Sequence, residues 1–125
     1  MPLIVNPIAT AVIGCAIRVH RALGPGLYES VYEPCLAYEL QEAKINFRRQ
    51  VRLPVDYRGV RCPKGFAADF IVENDVLVEL KCVVKALPIH RAQVVTYLRL
   101  TGLKKGLILN FNTVRLKDGI TSVVL

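Results

Sequence analysis

The residues of this chain best equipped for chemistry lie in and just before one apolar stretch, Val76-Leu77-Val78-Glu79-Leu80-Lys81-Cys82. On a strand, alternation sends Val76, Val78, Leu80 and Cys82 to one face and Glu79 with Lys81 to the other, so a carboxylate and an ammonium share a face of the most apolar strand in the protein. Asp69 belongs to the preceding strand-forming run. If the turn between the runs is Glu73-Asn74-Asp75, Val72 pairs with Val76 and Asp69 falls opposite Glu79; a turn one residue shorter would put the two acids on opposite faces. Carboxylates opposed across a ladder repel, the more so under covering helices. A divalent cation turns that repulsion into attraction, and carboxylate oxygens at this spacing, with backbone carbonyls and water, suit Mg2+ or Mn2+. Lys81 could then reach a scissile phosphate or the attacking water and stabilise charge that builds in the transition state. The plainer alternative makes Glu79 and Lys81 a solvent-facing ion pair and Asp69 a bystander; an isolated Glu-x-Lys favours it, and the Asp69 spacing brings the two readings level.

Such a site needs a sheet and helices to hold it. Pro7 suits a first helical turn, and Ile8, Val12, Cys15, Val19 and Leu23 recur at helical spacing up to Gly24-Pro25-Gly26. A second helix is expected from near Tyr28 to about Ala43, with Val31, Leu36 and Leu40 apolar and Pro34 kinking it or delaying its start. Three consecutive antiparallel strands follow: Phe47 to Tyr57 with a turn at Arg58-Gly59, Val60 to Val72, and Val76 to Val84. Pro54 and Pro63 give the first two edge character or bulges. Pro88 opens a helix to about Thr101, closed by Gly102, and Gly106 to Phe111 reads as a buried strand. Thr113 to Leu125 would add a hairpin around Lys117-Asp118-Gly119. The order α-α-β-β-β-α-β predicts an α/β fold with a mixed sheet flanked by helices, in one domain over residues 1–125, long enough to bury a core.

Composition narrows the partners. With 53% apolar and 22% charged residues the chain is globular rather than disordered. A net charge of +7 and a pI near 9.5 favour an anionic partner, nucleic acid first. Basic residues gather at Lys44 to Arg61 and at Arg99 to Lys105, as decorated surface rather than as a tail. Cys15, Cys35, Cys62 and Cys82 form no Cys-x-x-Cys pair, so they read as reduced thiols and not as a zinc or redox motif. The apolar start is no signal peptide or anchor: it lacks a basic leader, Pro2 and Pro7 interrupt it, and Arg18, His20 and Arg21 end it. A cytoplasmic protein with no membrane partner is expected.

Asp69 followed by Glu79-Leu80-Lys81 resembles the defining motif of the PD-(D/E)XK nuclease superfamily, with Ala68 where the motif has proline. Gly26-Leu27-Tyr28-Glu29-Ser30-Val31-Tyr32, led by Val19-His20-Arg21-Ala22-Leu23-Gly24-Pro25, resembles the signature of the GxxExxY family, a small bacterial and archaeal branch of it. Gln93-x-x-x-Tyr97 resembles a motif of the exonuclease-like branch. The resemblance runs from about Ile8 to Phe111 and implies a restriction-endonuclease-like core. It implies Asp69 and Glu79 as the principal ligands of Mg2+ or Mn2+, with the Leu80 carbonyl beside them and Glu29 directed to the metal from the second helix. It makes Lys81 the catalytic lysine, and sets Gln93 and Tyr97 to hydrogen-bond phosphate or metal-bound water. Without the resemblance, Glu29 is an acid favoured by a helix N-terminus, Glu33 a solvated charge, Tyr97 a half-buried core aromatic and Gln93 a surface residue. His20 and His90 read as packed or exposed, and the cysteine spacing is unlike that of the iron–sulfur cluster of some relatives. Leu87 stands where a capping serine or threonine would be expected.

The function expected is metal-dependent hydrolysis of nucleic-acid phosphodiesters, DNA before RNA, by a chain that could form a homodimer. The rivals are a catalytically silent nucleic-acid-binding module of the same fold and a regulatory subunit.

Overall fold

The computed structural model describes residues 6–125, so Pro2 lies outside the described residues. Among those described, no helix is long and apolar enough to cross a membrane. Helix α1 (Pro7–Leu23) starts where the Asn6 side chain accepts the Ala9 N–H at 3.0 Å, and it stops at Gly24, whose φ of 73° suits glycine. Helix α2 (Glu29–Glu42) is not delayed by Pro34, which lies inside it. The ring removes one helical donor, that to the Ser30 carbonyl, and Ser30 is exposed to water. The apolar stripe of α2 departs from expectation in one place: Val31 is exposed, and Tyr32 is buried with Leu36 and Leu40. The Tyr32 hydroxyl donates to the Gly24 carbonyl at 2.6 Å and accepts the Leu27 N–H at 3.2 Å, so the buried phenol is satisfied and ties down the loop before α2.

The remaining elements are β1 (Phe47–Tyr57), β2 (Val60–Val72), β3 (Val76–Lys81), α3 (Pro88–Thr101), β4 (Lys105–Asn110) and β5 (Ile120–Val124). They form one mixed sheet in the order β1-β2-β3-β4-β5, antiparallel throughout except for β3 and β4, which run parallel with α3 as their crossover. The α/β class expected from the sequence is therefore observed. Two boundaries differ. Strand β3 ends at Lys81 rather than Val84, because the buried Asn110 side chain takes both backbone groups of Val83, accepting its N–H at 3.1 Å and donating to its carbonyl at 2.9 Å. The tail forms no hairpin of its own; a 3-10 turn at Leu116–Gly119 returns the chain so that β5 pairs with β4, burying Val123.

Each face of the sheet has its own core. Tyr32, Leu36, Phe70, Val78, Leu80 and Phe111 meet beneath α1 and α2; Ala68, Ile71, Leu77, Val94, Leu98 and Ile108 meet beneath α3. Gly106 lets α3 approach β4, since a Cβ there would lie 2.6 Å from Val94 Cγ1. Leu87 supplies no cap to α3, but His90 Nδ1 accepts the Leu87 N–H at 3.1 Å in its stead. His20 is buried, its Nε2 2.8 Å from the Thr113 carbonyl and its ring edge-on to Phe111.

Candidate active site

The site begins at the β2–β3 turn. Glu73 (φ 53°) and Asn74 (φ 50°) are both left-handed, as the central pair of a tight hairpin turn must be, and the turn closes through the Asp75 N–H to the Val72 carbonyl at 3.0 Å. Asp75 is then an extra residue before the ladder, so Val72 pairs with Val76. That single residue sets the parity of every side chain on β3 relative to β2.

The ladder continues through Ile71–Leu77 and Phe70–Val78 and then stops. Asp69 and Glu79, expected as the next directly opposed pair, do not pair on the backbone. The strands part there, and the Asp69 carboxylate reaches across the gap so that Oδ2 accepts the Leu80 N–H at 2.8 Å. A strand residue turns its N–H and C=O the same way, and the Lys81 carbonyl faces β4, where it accepts from Phe111. Leu80 therefore opens both its backbone groups toward the fork.

A second irregularity lies at the same level of β1. Arg49 forms an ion pair with Glu33 of α2, while Val51, two residues on, packs beneath α3. In β2, Phe70 packs beneath α1 and α2 while Ala68 packs beneath α3. Residues two apart on a regular strand share a face. Gln50, left-handed at φ 47°, breaks the alternation in β1, and Asp69 stands at the matching inflection of β2. Gln50 Nε2 donates to Asp69 Oδ1 at 3.2 Å, so each Asp69 oxygen is fixed by a donor, Gln50 on one and the Leu80 N–H on the other.

Glu79 is 6% exposed. Burial, together with the hydrogen bond to Asp69 and its charge, pushes its carboxyl up to about 9, against the pull of Lys81. Glu29 is raised by burial and by the charge of Asp69, again opposed by Lys81. Lys81 and Asp69 are thus each near both glutamates. The Tyr97 hydroxyl is raised by burial and by the charge of Glu79, against a hydrogen bond from Gln93, and its ring stacks on Phe66 at 4.4 Å. Tyr97 is the half-buried core aromatic of the plainer reading, packed into the core beneath α3 and close enough to Glu79 and Asp69 to feel their charge.

An open cleft of about 350 Å³ is lined by Glu29, Ser30, Glu33, Pro34, Arg49, Gln50, Asp69 and Leu80. The structure thus brings Glu29, Asp69 and Leu80 to one cleft, with Glu79, Gln93 and Tyr97 on the α3 side of the fork. Glu33 is not the solvated charge expected: its side chain is 13% exposed and paired with Arg49. Gln50, Arg49 and Glu33 were not foreseen as part of the site, and Gln50 had no sequence signal, since nothing in Arg48-Arg49-Gln50-Val51 marks a left-handed residue.

Among the described residues no three Asp, Glu, His or Cys side chains stand close enough to hold one ion together. The donor set at the fork is two carboxylates, Asp69 and Glu79, and the Leu80 carbonyl. That set fits Mg2+ or Mn2+, which use one or two carboxylates and keep several waters, and a Glu79 carboxyl raised by burial and by Asp69 is what a cation would relieve.

The sequence profile of the PD-(D/E)XK nuclease superfamily matches residues 6–123. The chain belongs to that superfamily. Comparison with curated proteins and with solved structures returned no match. The three helices and five-stranded mixed sheet agree with the superfamily's restriction-endonuclease-like fold, and membership supports a nuclease-like function with nucleic acid as the class of substrate. The profile does not single out the GxxExxY branch, a narrower likeness carried by Gly26 to Tyr32, in which Tyr32 has a packing role and Glu29 lines the cleft.

Proposed function

We propose that this PD-(D/E)XK chain acts as a single domain that hydrolyses phosphodiester bonds with Mg2+ or Mn2+, on DNA before RNA. The observation that carries this reading is the buried Glu79 carboxyl beside Asp69, at a fork where the β2–β3 ladder stops and Leu80 opens its backbone. Without a cation the pair costs stability, since a buried carboxyl beside the half-buried Asp69 carboxylate resists ionising. A silent binding module would retain the basic surface but would have no use for that cost.

When bound, the cation would activate water and neutralise charge on the phosphate. Asp69 and Glu79 would hold it with the Leu80 carbonyl, while Gln50 and the Leu80 N–H keep Asp69 in one orientation. Glu79 would hold the ion as its carboxylate, the proton it keeps in the metal-free protein passing to solvent. The Lys81 ammonium stabilises charge growing on the phosphoryl oxygens. Gln93 and Tyr97 would orient the substrate from the α3 side, and Glu29 would face the ion from the cleft. Free thiols at all four cysteines suit a cytoplasmic setting.

The test is incubation of the purified protein with labelled single- and double-stranded DNA and RNA, in Mn2+, Mg2+ or chelator. Cleavage in either metal and none in chelator is expected; intact substrate in every metal condition would end the nuclease reading.

A further inference from the structure

Beyond the fork, β1 and β2 leave the body of the protein. Only Phe70, Ile71 and Val72 of β2 pair with β3, and Val60 to Ala68 pair with β1 alone. At the root Leu53 packs into the α3 core and Phe66 stacks on Tyr97. Past the register shift between Leu53 and Val55, every residue from Asp56 to Gly65 is exposed. The strands close tightly at the bend, where a Cβ on Gly65 would lie 2.3 Å from Val55 Cγ2. The free part of this two-stranded ribbon is roughly 20 Å long.

The ribbon carries Arg52, Arg58, Arg61 and Lys64 against Asp56, a net charge of +3. Arg61 is held by Asp56 at 3.0 Å; Arg52, Arg58 and Lys64 have no carboxylate partner among the described residues. Pro54, Pro63 and Lys64 are residues that discourage addition of another strand, which argues against a protein partner docking by β-pairing. The charge argues for a polyanion, and the shape selects which. The B-DNA major groove, about 12 Å wide, admits a two-stranded ribbon, whereas the major groove of A-form RNA is too deep and narrow for side chains.

We propose that the β1–β2 arm enters the major groove of duplex DNA and holds the duplex against the cleft at its root. This rests on the nuclease reading, because Gln50 and Asp69 are the residues from which the arm departs. Arg52, Arg58 and Lys64 grip phosphates, and the exposed Tyr57 and Val60 at the tip meet base edges.

Charge reversal at Arg52, Arg58 and Lys64 together is compared with reversal of three exposed cations elsewhere, Arg99, Lys104 and Lys117. Fluorescence anisotropy in chelator, across a salt series, reads affinity for labelled DNA duplex, RNA duplex and single-stranded DNA, and thermal melts confirm that both variants fold. The arm variant should lose about tenfold or more in duplex-DNA affinity and lower the salt slope by about 2 to 3, and the control variant much less. Equal losses in the two variants would overturn the proposal. So would wild-type protein that binds no duplex DNA, or an arm-dependent affinity as high for RNA duplex or single strands. A wild type that grips DNA through the arm yet never cleaves it would end the nuclease reading and leave the arm standing.

Discussion

The inner part of β2, Phe70 to Val72, is buried and paired on both edges, whereas its outer part, Val60 to Ala67, is largely exposed and paired with β1 alone. Along one strand the chain passes from a place where a lone charge costs several kcal/mol to one where water solvates it freely. The outer carboxylate, Asp56, is 61% exposed and meets Arg61 in a pair that contributes about 1 kcal/mol at most. Asp69 stands between the two regimes, with Glu79 buried beside it. A carboxylate pair further out would be screened by water and hold no ion, and one further in would have no route to substrate. The junction offers low dielectric and access together.

The comparison assigns chemistry to the junction and grip to the arm, so substitutions should separate the two. The largest effect belongs to Lys81→Ala, which should lower the cleavage rate by about 10² to 10³. Its effect on DNA affinity should be small, because backbone contact is spread over many cations. Lys81→Arg keeps the charge without the compact ammonium, and should bind normally without recovering the full rate. Single-turnover rates and affinities at one salt concentration make the measurement. Equal cleavage by wild type and Lys81→Ala would move the chemistry away from the junction.

The next effect sharpens the dielectric contrast. The Glu79 carboxyl titrates at about 9 in the folded protein against an ordinary value of 4.5, so between those values the folded state holds a proton that the unfolded state releases. The stability of the metal-free protein contributed by this group therefore falls as pH rises through that window. Glu79→Gln removes the slope: its melting temperature should exceed that of wild type at pH 8, by on the order of 1–3 kcal/mol in stability, and match it near pH 4.5. Mn2+ affinity should move the other way in a calorimetric titration, weaker in the variant, with about one proton released on binding to wild type near neutral pH. A stability gain with unchanged Mn2+ affinity would place the metal elsewhere.

The sequence disclosed the parts of this molecule governed by local rules. Periodicity and punctuation placed α1, α3 and the strand cores, while the β2–β3 parity stays open between two turn lengths until Glu73 and Asn74 are seen in left-handed conformations with Val72 paired to Val76. Alternation also named the faces of Val76 to Lys81. What stayed hidden depends on long-range contact. Burial of Tyr32 in place of Val31 follows from where Phe111 lies, with ring centroids 4.5 Å apart, far along the chain. The early end of β3 follows from the Asn110 side chain, and the parting of β2 from β3 follows from a carboxylate replacing a backbone partner, which no propensity describes. Gln50 is the clearest case: a left-handed glutamine is disfavoured locally and holds only because the strands around it and Asp69 fix it there.

The smallest predicted effect asks whether the junction is held from outside. Gln50→Gly suits a φ of 47° better than glutamine does, so stability should hold or rise. The donor to Asp69 Oδ1 is lost, however, and Mn2+ affinity should fall roughly tenfold, as it does when a ligand loses its supporting hydrogen bond. Glu33→Gln breaks the pair with Arg49 immediately before Gln50; with Arg49 46% exposed, the loss in stability should stay below about 1 kcal/mol. The informative quantity is the coupling between the two substitutions. If the Arg49–Glu33 pair straps β1 to α2 so that Gln50 can turn, Glu33→Gln weakens Mn2+ binding several-fold in wild type and has no effect once Gln50 is glycine. Two independent losses would instead make the pair a surface contact and leave the inflection at Gln50 to the ladder between β1 and β2 alone.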